Sequence, residues 1–362
     1  MSRAREFADL AGSADAGGIT GPNLIINGNM TVSQRGTTFA DLANGGFGVD
    51  RFIIFHSDDG AVTVSQDTTV PAGQGFKNSM KFDVTTADTS IAAAQYYQFA
   101  QKIEGQNMAH LEWGTSNAKS VTLSFWIRSN LTGTYNVYFL NNAVNRYHPV
   151  NFTIDSANTW EKKIITVAGD TSGTWLTTNG VGMFVLWNLA LGSNYLTGTN
   201  ATWGTAGPGV SGTTQANFLS STSNELYITG VQLEVGEQAT PFEHRSIGDE
   251  LIRCQRYYVR HTGGSTNLSG LCTGVIYSST AALTAHTYST PMRSSPTIGT
   301  DSLNAVTQMQ VVRGGAASAV SVLDAYGDTL GARIDCTITS GTTGQGGYLQ
   351  IMTGYVDFDA EL

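Results

Sequence analysis

Alternation of apolar and polar residues is the main pattern of this chain. From Lys119 to Arg128 every second residue is apolar, which places one set on a single face of a strand: Val121, Leu123, Phe125 and Ile127. A period of two is typical of an antiparallel sheet with one buried face. Similar short runs recur between Gly, Pro and Asn turns, with no long helical pattern separating them. The sequence therefore predicts an all-β fold built on sandwiches.

Two short apolar segments bracket the first two thirds of the chain. Asn23–Met30 runs into Ser33–Gly36, and Ile228–Gly236 is followed by Ala239–Arg245. Each apolar run is closed by Gly, Asn or Pro, as a strand is closed by a turn. We interpret the two segments as the first and last strands of one β-sandwich that spans residues 23–246.

The apolar period changes after this predicted sandwich. Ile247, Leu251, Cys254 and Tyr258 are spaced four, three and four residues apart, which indicates one face of a helix. We predict a short connecting helix at residues 247–262. Its apolar stripe either packs flat on its own domain or forms a seam about a three-fold axis between protomers.

The two ends of the chain complete the predicted organisation. Residues 1–22 combine a short helical pattern with a linker of small residues, so they form either an anchor that is ordered on a partner or a frayed tail. Residues 263–362 carry several strand-like runs and predict a smaller C-terminal β-sandwich domain.

Composition excludes several classes of protein. Charged residues are only 13% of the chain, and the net charge of −9 comes without a Lys/Arg cluster, so we expect no nucleic-acid partner. No apolar run reaches the roughly 18 residues of a membrane helix, so we expect no membrane insertion. The three cysteines, Cys254, Cys272 and Cys336, predict reduced and partly buried thiols, with a Cys272–Cys336 disulfide as the alternative.

Several of these segments, taken together, resemble a known family. The two bracketing segments, Ser124–Arg128 with Thr132–Tyr135, and Arg253–Tyr258 occur in the order found in phage tail-fibre and virion proteins that carry a carbohydrate-binding-module-like jelly roll. Further similar runs are Asn158–Lys163, Pro291–Pro296 and Asp359–Leu362. The resemblance covers nearly all of the chain after residue 22.

The resemblance implies a function and a set of partners. It implies a homotrimeric tail-fibre protein that attaches to a host-surface glycan or receptor, with residues 1–22 bound to other tail proteins. The alternative is a structural virion protein, such as a collar, adaptor or decoration subunit, that uses the jelly roll only for protein contacts. The N-terminus is charged where a signal peptide is apolar, so we expect assembly in the host cytoplasm as part of the virion.

Aromatic residues supply the candidate binding site. All six tryptophans lie between Trp113 and Trp203. Trp126 and Trp187 fall within strands and are expected in the core. Trp175, Tyr195 and Trp203 fall in loops of small polar residues, and we predict that they bind sugar. The alternative places them at the sandwich edge or in a subunit interface.

Acidic residues give no enzyme or metal signature. Glu104 with Glu112, and Asp155 with Glu161, are candidate carboxylate pairs for a glycosidase, but nothing in the sequence places either pair in a cleft. We expect no enzyme, no catalytic residue and no cofactor. A structural calcium ion would use Asn27, Asp50 and Glu234, and cross-strand hydrogen bonding is the alternative for each of them.

Overall fold

The computed structural model describes residues 23–205, 215–263, 269–300 and 309–362. It confirms the all-β fold with antiparallel sheets and a jelly-roll sandwich. The chain divides into two compact units, Met1–Ile247 with Leu362 and Gly248–Glu361. The predicted N-terminal helix and anchor, residues 1–22, lie outside the described residues.

The first unit is a sandwich of a six-stranded and a five-stranded sheet. The six-stranded sheet has the order β1-β3-β4-β11-β6-β9, and the five-stranded sheet has the order β2-β5-β10-β7-β8. The strands are β1 Thr38–Ala40, β2 Phe52–His56, β3 Ala61–Asp67, β4 Ser79–Thr86, β5 Tyr96–Glu104, β6 Val121–Ser129, β7 Gly133–Asn141, β8 Tyr147–Ile154, β9 Glu161–Val167, β10 Val181–Leu191 and β11 Glu225–Val235. Short helical turns lie at Gly105–Met108 (α1), Ala109–Leu111, Ser193–Tyr195 and Phe218–Ser220.

The alternating pattern at residues 119–128 has the predicted consequence. Val121, Leu123, Phe125 and Ile127 of β6 are buried in the core between the two sheets. Trp187 of β10 is also in this core, as predicted. Trp126 is not: it points to the outer face of its sheet and is half-buried, because its neighbours in sequence occupy the inner face.

The bracketing segments meet as predicted, although only one of them is a regular strand. Ile228–Gly236 falls in β11 apart from its last residue. Asn23–Met30 runs beside it, with Leu24 N–H donating to Leu233 O at 2.8 Å, but forms no strand. Asn27 and Met30 have positive φ angles of 60° and 58°, which bend the segment away from extended geometry.

The predicted connecting helix is shorter than residues 247–262. Helix α2 spans Ile247–Gln255, and β12 begins at Tyr258. Aromatic and β-branched residues such as Tyr258 and Val259 favour a strand, and both pair with β20. The helix therefore ends before Tyr258, the last residue of the predicted apolar stripe. Cys254 and Tyr258 are buried, whereas Ile247 at the helix start is exposed.

The second unit contains a closed barrel and a three-stranded sheet. The barrel has the order β13-β14-β18-β17-β16-β19, and the small sheet has the order β12-β20-β15. The strands are β12 Tyr258–Gly263, β13 Ser269–Ser278, β14 Ala281–Thr287, β15 Thr297–Thr300, β16 Met309–Arg313, β17 Ala316–Gly327, β18 Gly331–Ile338, β19 Gly346–Ile351 and β20 Gly354–Asp359. The sequence predicted a C-terminal β-sandwich at residues 263–362, and the structure has a closed barrel with a small sheet instead. An alternating pattern does not distinguish the two, because strands of both have one buried face.

The three cysteines are free and buried. Cys272 lies on β13 and donates from its thiol to Thr284 Oγ1 at 3.1 Å. Burial raises the pKa of Cys336 to about 12. These thiols therefore pack as small apolar groups, and the alternative Cys272–Cys336 disulfide is not formed. No helix in the described ranges has the length and apolar character needed to cross a membrane.

Candidate functional site

Trp175 and Trp203 come together, with Trp175 in the sandwich core and Trp203 packed against that core. Trp175 is 7% exposed, and its indole N–H donates to Asp170 Oδ2 and Ser172 O, each at 3.2 Å. Its ring centroid lies 5.6 Å from that of Trp203 and 4.7 Å from that of Trp113. A covered ring cannot present its face to a sugar. Trp175 therefore caps the end of the sandwich.

Trp203 is half-buried beside the same cluster. Its indole N–H donates to Ala168 O at 2.9 Å, and its ring meets Trp113 edge-on. The guanidinium of Arg146 lies 5.7 Å from the Trp203 ring centroid and forms a bidentate ion pair with Asp170. Arg146 and Asp170 are thus paired with each other beside the two tryptophans.

His148 lies against this tryptophan cluster, and its pKa reports how well the cluster is shielded from water. Its ring centroid is 4.9 Å from that of Trp203, and its Nδ1 is buried without a hydrogen-bond partner in the described part of the chain. Burial lowers the pKa of His148 to about 4, while the nearby Asp170 opposes this shift. The folded protein therefore holds a neutral imidazole.

We expect the jelly roll to lose stability as the pH falls from about 6.5 towards 4. A lowered pKa means that the unfolded chain binds the proton first, so the contribution of His148 is complete above 6.5 and is lost below it. The loss at pH 4.5 should be on the order of 2 kcal/mol. Urea unfolding at pH 7 and 4.5 measures it. His148→Gln should shrink the difference between the two pH values, whereas substitution of the exposed His244 by Gln should leave it unchanged.

Tyr195 lies apart from the two tryptophans. It is half-buried at the outer face of the five-stranded sheet, where its ring meets Tyr96 at 5.4 Å and its hydroxyl donates to Ala94 O at 3.1 Å. The structure therefore does not unite the three predicted residues into one site.

The outer face of the five-stranded sheet carries a row of amides that sequence reasoning missed. The row crosses four neighbouring strands in register and consists of Gln98, Asn188, Asn136 and Asn151. Asn188 Nδ2 donates to Asn136 Oδ1 at 2.8 Å, and Asn136 Nδ2 donates to Asn151 Oδ1 at 2.9 Å. Gln98, Asn136 and Asn188 are buried, whereas Asn151 is half-buried. The available signal was Thr134 and Asn136 at alternate positions of β7, together with Asn188 in the otherwise apolar β10.

The calcium candidates serve as hydrogen-bonding residues. Asn27 Nδ2 donates to Val32 O and Asp50 O, and Asp50 accepts from both the backbone and the side chain of Gln34. Burial raises the pKa of Asp50. Glu234 accepts from Thr240 N–H and its hydroxyl. Within the described ranges no group of three or more His, Cys, Asp or Glu could hold a metal ion.

One of the two candidate carboxylate pairs, Asp155 with Glu161, is held by a shared lysine. Asp155 and Glu161 share Lys163, whose Nζ lies 3.4 Å and 2.5 Å from their carboxylate oxygens. Desolvation acts against ionisation of Glu161, but the hydrogen bonds from Lys163 and from backbone N–H groups outweigh it and lower its pKa. A general acid in a glycosidase needs a raised pKa, so Glu161 is poorly suited to that role.

The barrel carries an open, aromatic surface. Of the Phe, Tyr and Trp side chains that the structure describes, three are exposed, and all lie on the barrel: Tyr277 at 66%, Tyr326 at 60% and Tyr348 at 38%. Neighbouring strands place Tyr348 beside Thr273 and Tyr326 beside Arg333. The small residues Thr273 and Ala285 are paired between them. The result is a shallow face with tyrosines at its edges.

A groove lies on this face. Its volume is about 520 Å³, and its lining includes Tyr277 of β13, Ala281 and Leu283 of β14, and Arg333 and Asp335 of β18. Because β13 and β18 flank β14, the two walls stand two strand spacings apart, about 10 Å. The volume falls in the range of pockets that bind small ligands. We name this pocket the barrel groove.

Comparison with known proteins gives similar folds at low identity. No family model and no curated protein matches the chain. The enzymatically active domain of tailspike protein 4 from bacteriophage CBA120 is 13% identical over 59% of this chain and 22% of its own, with a TM-score of 0.33. A family 11 carbohydrate-binding module from Clostridium thermocellum is 11% identical over 56% of this chain and 97% of its own, with a TM-score of 0.28. A family 61 carbohydrate-binding module solved with β-1,4-galactotriose is 8% identical over 60% of this chain and 99% of its own, also with a TM-score of 0.28. Likeness at this level transfers neither a ligand nor an activity to this chain.

Proposed function

We propose that this protein is a non-catalytic adhesion protein of a phage tail that binds host-surface glycans through its C-terminal barrel. The observation that carries the proposal is the distribution of exposed aromatic side chains. Tyr277, Tyr326 and Tyr348 are exposed on the barrel, while the jelly roll keeps its described aromatic residues buried or half-buried.

Exposed tyrosines suit sugar binding for physical reasons. Covering an exposed ring with a ligand removes apolar surface from water, which favours binding. Tyrosine loses little conformational entropy on binding and offers both an apolar face and a hydroxyl. Sugars present C–H groups that pack on such a face. The three tyrosines on the barrel therefore fit a glycan surface better than the buried Trp175.

The proposal includes a trimeric tail fibre as the working assembly. Single glycan sites of this kind are weak, and several copies on one particle raise the total affinity by avidity. Residues 1–22 would attach the fibre to other tail proteins in the virion. Ile247 and Ile252 of α2 are 63% and 49% exposed and are candidates for contacts between protomers. No metal or cofactor is part of this function.

Binding to whole host cells tests the proposal. The purified full-length protein should bind cells that carry their surface polysaccharide and should lose at least tenfold in binding to matched cells stripped of it, because the glycan supplies the contacts. Equal binding to both kinds of cell would contradict glycan-directed adhesion. A folded protein that binds neither would contradict adhesion as a whole.

A structural virion subunit is the second candidate, and one observation favours it. Trp175 is built into the core, and Gln98, Asn136 and Asn188 of the amide row are buried, so these side chains are not available to a sugar. In that case the jelly roll makes only protein contacts. Absence of binding to either cell surface is the result that this candidate predicts.

A further inference from the structure

The lining of the barrel groove has no net charge. Its two charged lining residues pair with each other, with Arg333 Nη2 donating to Asp335 Oδ2 at 2.7 Å. The groove therefore has no surplus cation to bind an acidic sugar and no surplus anion to bind an amino sugar. The net charge of −9 on the whole chain further opposes an acidic polymer.

The same ion pair leaves hydrogen-bonding capacity towards the groove. The Arg333 side chain is 57% exposed. A guanidinium has five N–H donors, and the hydrogen bond to Asp335 uses only one of them. The Asp335 side chain is 25% exposed, but its Oδ1 is buried without a hydrogen-bond partner in the described part of the chain. The oxygen left for a ligand is therefore Oδ2, which accepts from Arg333 and can accept a second hydrogen bond. A donor and an acceptor thus lie side by side at one wall.

Neighbouring hydroxyls of a sugar match this arrangement. Each hydroxyl donates one hydrogen bond and accepts others, so one can donate to the Asp335 carboxylate while the next accepts from Arg333. Across the groove, the Tyr277 ring offers a face for the C–H side of the same sugar. The floor between them is apolar, made of Ala281 and Leu283.

We infer that the barrel groove binds a neutral glycan through a pair of adjacent hydroxyls held by Arg333 and Asp335, with the sugar ring against Tyr277. This inference rests on the proposed glycan adhesion and adds the chemical class of the ligand and the residues that select it. The groove would favour neutral hexose units over uronic-acid, sialylated or amino-sugar units.

Calorimetric titration of the full-length protein tests the ligand class. The probes are three sets of oligosaccharides of matched length: neutral, uronic-acid-containing or sialylated, and amino-sugar-containing. Neutral oligosaccharides with adjacent free hydroxyls should bind at least tenfold more tightly than the charged sets. Tighter binding of a charged set would overturn the inference while leaving glycan adhesion intact. Binding of none of the three sets would contradict both the inference and glycan adhesion.

Two variants test the residues. Asp335→Asn keeps the shape but removes the charge-assisted bond, so affinity for the neutral set should fall about tenfold. Tyr277→Ala should lower the affinity for the neutral set by a similar factor. It should not unfold the barrel, because Tyr277 is exposed. Tyr195→Ala, on the jelly roll, is the matched control and should bind as the wild type does. Unchanged affinity in both groove variants would overturn the assignment.

Discussion

Asp170→Ala is expected to destabilise the jelly roll by about 3–5 kcal/mol. Asp170 is 1% exposed and accepts two hydrogen bonds from Arg146, at 2.7 and 2.5 Å. It also accepts from Ser172 N–H and from the Trp175 indole. Removing the carboxylate leaves a largely buried guanidinium without its counter-charge, and this desolvated charge dominates the loss. Urea unfolding followed by tryptophan fluorescence measures it, because all six tryptophans lie in the jelly roll.

A double variant separates charge from packing. Arg146→Met combined with Asp170→Ala removes both charges, so it should recover more than half of the loss. The matched control is Lys119→Gln, which breaks an exposed ion pair with Glu112 at 3.9 Å and should cost less than about 1 kcal/mol. A double variant as unstable as Asp170→Ala alone would show that the unpaired charge is not the cause.

Trp187→Ala is expected to cost about 3–5 kcal/mol through the cavity that it leaves in the core. The Trp187 ring stacks on Phe99 with a centroid distance of 5.0 Å and an interplanar angle of 2°, and it meets Phe125 edge-on at 5.8 Å. Its indole N–H is buried without a hydrogen-bond partner in the described residues. Chemical denaturation followed by circular dichroism measures the loss.

Trp187→Phe should be much milder than Trp187→Ala. It keeps an aromatic ring against Phe99 and removes the unsatisfied N–H, so it should cost less than half as much. Trp160→Ala is the control for a half-buried tryptophan outside the core and should cost about 1 kcal/mol or less. A Trp187→Ala loss below that of Trp160→Ala would contradict the packing described for this core.

The fold was predictable where a pattern is local and repeated. The alternation at residues 119–128 identified β6 and its buried face, since a period of two belongs to a strand. The end of the helix at Gln255 was not predictable from its stripe. Tyr258 keeps the helical spacing, yet pairing with Asp359 on a distant strand decides its structure. Barrel closure depends in the same way on pairings far apart in sequence.

The candidate site was harder to predict because exposure is a property of the folded chain. Trp175 and Trp203 stand in loops of small polar residues, which indicates a surface position in the sequence. The fold turns these loops inward over the end of the core, where Asp170 and Ala168 satisfy the two indole N–H groups. Tyr277 lies within an ordinary strand pattern, and only the folded barrel shows that its side chain faces water.

Whole-cell binding by paired tyrosine variants tests the central claim most directly. Tyr277→Ala should lower binding to polysaccharide-bearing host cells at least tenfold, because it removes the ring exposed beside the barrel groove. Tyr195→Ala should bind these cells as the wild type does, since its ring packs on the jelly roll. The contradicting result is full binding by Tyr277→Ala and loss of binding by Tyr195→Ala, with both variants folded. It would rule out adhesion through the barrel and would place the binding site on the five-stranded sheet.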